Sequence, residues 1–227
     1  MRDLRSIYVR ANACVACHQV LDDQIAAAGH PPLLFELTAQ MKNEPPHWRD
    51  LREPSVRTWL AGQASALREL SWNAAMLKDS RNADDPAAAQ RAALAWLLGK
   101  ATALDSTLPK IPERADIGTI RLAADQLAAH ASAHDPSGSY ASNLFRVFAS
   151  SANDFKTPSF RSTETLFYCA RRLVLALEGL ANDGQANSRY LAELRQLNTD
   201  VAALSSFDAN AFARDLDGLR LKLESER

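Results

Sequence analysis

The sequence predicts an all-α chain. Three observations carry that prediction: glycine is scarce, at 8 of 227 residues; runs of β-branched residues are missing; and apolar residues recur at helical spacing along almost the whole length. Hydrophobic residues make up 47% and charged residues 23%, an ordinary globular balance that argues against disorder. No solenoid-length repeat stands out.

The first short helix leads into Cys14-Val-Ala-Cys17-His18, and a second is expected from about Cys17 to Ala28, stopped by Gly29 and Pro31-Pro32. A short helix near Leu33–Met41 precedes a proline elbow at Pro45-Pro46. Pro54 then sits where a first-turn proline belongs. Beyond it Val56, Trp59, Gln63, Leu67, Leu70, Ala74 and Leu77 trace one mostly apolar stripe. Asp84-Asp85-Pro86 opens a helix reaching about Leu104, and further helices are predicted over 114–134, 139–152, 162–182, 187–204 and 208–225. The last two carry the seams Tyr190, Leu194, Leu197, Val201, Leu204 and Phe212, Leu216, Leu219, Leu223. They read as an antiparallel pair joined at Ser205–Asp208, with Asp208 as N-cap. The expected organisation is a haem-attachment segment over 1–50 packed on a multi-helix bundle over 51–227.

Charge excludes several partners. With 26 basic and 27 acidic side chains, nothing suggests nucleic acid or a polyanionic substrate. No run of 18 apolar residues exists to span a bilayer. The start, Met1-Arg-Asp-Leu-Arg-Ser, lacks a secretory leader. A periplasmic location, which haem attachment requires, is therefore expected with a signal peptide already removed.

The chemistry lies in the cysteines. Three are present, one close pair and the distant Cys169, and an odd count of this kind is no disulfide framework. Two thiols three residues apart add across the two vinyl groups of a haem, and the next residue, His18, places its imidazole under the iron. A thioredoxin-like dithiol wants a βαβ context, and a zinc site wants a second Cys or His pair. Neither is present, so one covalent haem c on Cys14 and Cys17 is the expected cofactor.

The opposite iron ligand has several candidates. His30 lies twelve residues past His18, a helical span of about 18 Å. Ending that helix at Gly29 lets the chain bend around the haem edge, and Pro31 restricts the His30 backbone to extended conformations. His47 is the alternative, in the rigid Pro45-Pro46-His47-Trp48, where the Trp48 indole is placed to pack on the porphyrin. Met41 and Met76 are further candidates, Met76 beside an apolar stripe where methionine usually fills core. His130 and His134 have the i, i+4 spacing of a two-histidine metal site. Without a third ligand in the sequence, the preferred reading is favourable placement at a helix C-terminus. Cys169 falls on the stripe Leu166, Cys169, Leu173, Leu177, Leu180 and reads as a buried small hydrophobe. Arg171-Arg172 reads as a solvated face, within reach of a haem propionate as the other option. No Ser-His-Asp order, phosphate loop or His-Glu-x-x-His is present, so no independent catalytic centre is expected.

Cys14-Val-Ala-Cys17-His18, Ala28-Gly29-His30-Pro31, Leu34-Phe35-Glu36-Leu37 and Pro46-His47-Trp48-Arg49 together resemble the opening of the bacterial periplasmic di- and multihaem cytochromes c. Trp59-Leu60-Ala61-Gly62-Gln63-Ala64 fits the same family, and Ala176–Leu180 with Ser206-Phe207-Asp208 resembles its tail more weakly. Relatives carry a second Cys-x-x-Cys-His, whereas residues 81–160 here contain no cysteine. The resemblance implies a chain that kept one haem, with His30 or His47 as distal ligand. It implies electron transfer with a redox partner, a multihaem cytochrome or an oxidoreductase. The alternative function is a haem-based sensor with an exchangeable sixth ligand.

Overall fold

The computed structural model describes residues 3–19, 24–25, 28–29, 34–38, 55–76, 86–112, 115–136, 138–156, 162–182 and 187–226. Among them the chain is all-α, with no strand. It divides into two compact units, Met1–Pro136 and Ser137–Arg227. The division falls between Pro136 and Ser137.

The first unit is built on α2 (Val56–Met76), which packs against α1 (Ile7–His18), α3 (Pro86–Ala103) and α4 (Ile117–Ala133). Because neighbours reach it from several sides, α2 is buried almost all round from Thr58 to Leu67. The single stripe predicted for it is too narrow. Ala61, Ala64 and Ala66 of α2 and Ala124, Ala128 and Ala131 of α4 are all wholly buried, and side chains this small let helix axes approach closely. The two helices run antiparallel, since Arg57 at the start of α2 meets Asp135 just past the end of α4 at 3.1 Å. Asp116 caps α4, its carboxylate accepting from the Thr119 N–H at 3.0 Å and the Thr119 hydroxyl at 2.6 Å. Gly62 fits only as glycine: a Cβ there would lie 2.7 Å from Leu37 Cβ.

The second unit holds α5 (Tyr140–Ala149), the one-turn α6 (Asn153–Lys156), α7 (Thr163–Asn182), α8 (Leu191–Asp200) and α9 (Ala209–Ser225). A 3₁₀ turn, Asn187–Tyr190, leads into α8, and another, Leu204–Ser206, joins α8 to α9. The predicted pair is present and antiparallel: Glu193 near the start of α8 accepts from Lys222 near the end of α9 at 2.7 Å. Asp208 caps α9 as expected, accepting from the N–H groups of Asn210 and Ala211. The seams are buried at Tyr190, Leu194, Leu197, Val201, Phe212, Leu216 and Leu219. Leu204 departs from its seam and is exposed, because α8 stops at Asp200 and the turn carries Leu204 away. Phe155, Phe207 and Phe212 form an aromatic cluster, with Phe155 edge-on to Phe212 at 4.8 Å.

Two side-chain placements differ from the sequence reading. Arg172 is buried rather than solvated. It stands three residues past Cys169, which puts it on the same inward face of α7. Met76 is 61% exposed and fills no core, because it lies on the last turn of α2, beyond the buried stretch. Cys169 is wholly buried on its stripe, as expected.

Candidate haem-attachment site

The helix that carries the motif starts at Ser6, whose hydroxyl accepts from the Val9 N–H at 3.4 Å. No proline or glycine interrupts Ile7–His18, so the helix runs through both cysteines and ends on His18, where the N–H of Gln19 closes the last turn on Val15 O at 3.1 Å. The break predicted near the cysteine pair is absent. Gln24 and Ile25 are helical, but most of residues 20–33 lies outside the described residues, as do His30, Met41, His47 and Trp48.

One unbroken helix has a direct geometric consequence. Positions 14, 17 and 18 are related by i+3 and i+4, so all three fall on one face. At about 100° per residue this face flanks the stripe formed by Ala11 and Val15 and points away from Ala16. Burial agrees: Ala11 and Val15 are wholly buried, Cys14 and His18 are half-buried, and Ala16 is exposed. Cys14 and His18 therefore sit along the rim of the first unit's core. Cys14 takes part in no disulfide. Among the described residues the His18 ring is engaged by no hydrogen bond or ion pair.

Two polar clusters hold α1 in place. Towards its start, Arg68 of α2 donates to Asn12 and, at 3.0 Å, to Asp125 of α4. The Tyr8 hydroxyl donates to the same Asp125 oxygen at 2.8 Å. Three helices thus meet at one carboxylate. At its end, Gln19 is buried and donates from Nε2 to Gln90 Oε1 of α3 at 3.0 Å. Arg10, also buried, donates back to Leu4 O at 2.8 Å and fixes the segment before the helix. The motif is legible in the sequence, but the anchors at Asn12, Tyr8 and Gln19 are not, since their partners are 56 to 117 positions away.

The donor set fits covalent haem attachment. Position 17 shares the helical face of Cys14 and His18, which are both half-buried beside the core, and two cysteines and a histidine at this spacing are residues that would hold a covalent haem. No group of three or more His, Cys, Asp or Glu suited to a bare metal ion is present among the described residues. His130 and His134 stand elsewhere, on the last turn and C-cap of α4. No family model matches the chain, and comparison with curated proteins and with solved structures gives no match. No helix among the described residues is long and apolar enough to cross a membrane.

Proposed function

We propose that the chain carries one haem c and serves as a periplasmic electron carrier that docks to a redox partner. The observation that supports this best is the placement of Cys14, Cys17 and His18 on one face of an uninterrupted helix, with Cys14 and His18 at the rim of the core. Cys14 and Cys17 would hold the haem through two thioethers, each thiol adding its sulfur to one carbon of a vinyl group and its hydrogen to the other. His18 offers an imidazole nitrogen as axial ligand. Bound there, the haem supplies a one-electron ferric/ferrous couple. The chain's own part is to hold the imidazole still, through the Gln19–Gln90 bond one residue beyond it, and to leave one edge of the site open.

His30 is the proposed distal ligand and His47 its alternative, with Trp48 packing on the ring. Two histidines keep the potential lower than a methionine would. The kinship with di- and multihaem cytochromes c is part of the same proposal, resting on the segments around Gly29-His30-Pro31 and Pro46-His47-Trp48. A multihaem cytochrome or an oxidoreductase is the partner it implies. Near-neutral net charge favours docking by shape and apolar contact over long-range steering.

Visible and near-infrared spectra of the purified haem protein test this. Low-spin bis-histidine features unchanged by carbon monoxide are expected. A high-spin ferrous form that binds carbon monoxide readily contradicts the carrier and favours a sensor. His30→Ala should convert low spin to high spin; an unchanged spectrum removes His30 as ligand.

A further inference from the structure

We propose that His130 and His134 form a second metal site, a bidentate chelate for a divalent first-row transition ion, separate from the haem motif and independent of the haem reading. The two rings stack at the C-terminal end of α4, centroids 4.4 Å apart and planes within 23° of parallel. Side chains four apart on a helix share a face, and this pair has closed to contact.

The hydrogen bonding of His134 is the decisive feature. Its Nδ1 lies 3.1 Å from the carbonyl oxygen of His130. A carbonyl oxygen can only accept, so Nδ1 carries the hydrogen. The neutral ring then presents the Nε2 lone pair outward. A metal-ligating histidine characteristically donates its other ring N–H to a carbonyl or carboxylate, which fixes tautomer and ring orientation. His134 has that partner before any ion arrives. Two histidines four apart on one helix face have the spacing at which both imidazoles can ligate one ion.

The surroundings favour a cation. The negative end of the α4 dipole lies here. Asp105, in the loop after α3, has its carboxyl held below the usual carboxylate range chiefly by the Thr107 hydroxyl, then by the Thr107 N–H. Lys110 is turned onto the carbonyl oxygens of Thr102 and Asp105. Asp135 is held by Arg57. Among the described residues no third ligand completes a cage, so the ion keeps water in its remaining positions. Imidazole pairs of this kind suit copper, nickel and zinc, with copper(II) the tightest.

Copper(II) titrated into the full chain carrying Cys14→Ser and Cys17→Ser, so that no paired thiols bind or reduce it, followed by electron paramagnetic resonance and by competition with a chelator, tests the site. One equivalent with hyperfine splitting from two imidazole nitrogens is expected. His130→Gln and His134→Gln should each remove one nitrogen and weaken binding at least about tenfold. Both side chains lie on an accessible helix end, and circular dichroism of each variant checks that the fold is kept. Equal affinity in this parent chain and both variants, or a copper signal without two-nitrogen coordination, overturns the proposal.

Discussion

Gln19, one residue beyond His18, donates its side-chain amide to Gln90 across a buried contact of 3.0 Å. This single bond ties the end of α1 to α3 and so fixes where the helix delivers its last imidazole. Breaking one side leaves an amide buried without its partner, which costs about 1–3 kcal/mol. Gln90→Ala should therefore lower stability by about that amount in urea unfolding. In the haem-loaded protein it should also broaden the low-spin spectrum, whereas Gln19→Leu with Gln90→Leu should recover part of the stability and none of the spectral sharpness.

Gly62 and Gly99 should respond oppositely to alanine. Both lie inside helices, where alanine is favoured by about 1 kcal/mol. A Cβ at 62 meets Leu37 Cβ at 2.7 Å, while one at 99 meets nothing within 4 Å. Gly62→Ala should destabilise by about 1–3 kcal/mol, because the overlap is with a Cβ that cannot swing aside. Gly99→Ala should stabilise by about 0.5–1 kcal/mol. Thermal melts of the two variants side by side check the sign of each.

Asp208→Ala removes the acceptor for two N–H groups at the start of α9 and should cost about 1 kcal/mol. Asp208→Asn keeps an oxygen in place and should cost far less. Denaturant midpoints of the two variants separate capping from charge.

Asp200 contributes a pH dependence of unusual sign. Burial, and next the negative charge of the neighbouring Asp215 carboxylate, raise its pKa above the usual aspartate value. A carboxyl raised in the folded state binds its proton more tightly there than in the unfolded chain. Between the ordinary and the raised value the native state holds more protons, so this group's contribution falls as pH rises through that window. Asp200→Asn should therefore raise the melting temperature at neutral pH, with the gain vanishing below the ordinary aspartate range. A gain independent of pH contradicts the assignment.

Much of the helical plan was legible in the residues. The cap at Asp208, the seams of α8 and α9 and the buried stripe through Cys169 follow from local spacing alone. What escaped depends on tertiary partners. The side chains that let α2 be buried on nearly every side are alanine, glycine and serine, too weakly patterned to trace a stripe. Arg172 shares an inward face that its charge argued against, and Met76 overruns the end of its buried stretch. At the site, the spacing of Cys14, Cys17 and His18 was readable. Their placement on one uninterrupted helix was not, because the expected break relied on a second helix after the motif. The Asp125 and Gln90 anchors come from distant positions that only the packed fold joins. His30, His47 and Trp48 lie outside the described residues, and their roles rest on the sequence.

The mass of the denatured chain, purified from a host with the c-type maturation machinery, tests the central claim most directly. One haem added to the polypeptide is predicted, surviving acid extraction and reduced to a single thioether linkage in Cys14→Ser and in Cys17→Ser. A colourless protein with the mass of the bare polypeptide contradicts it.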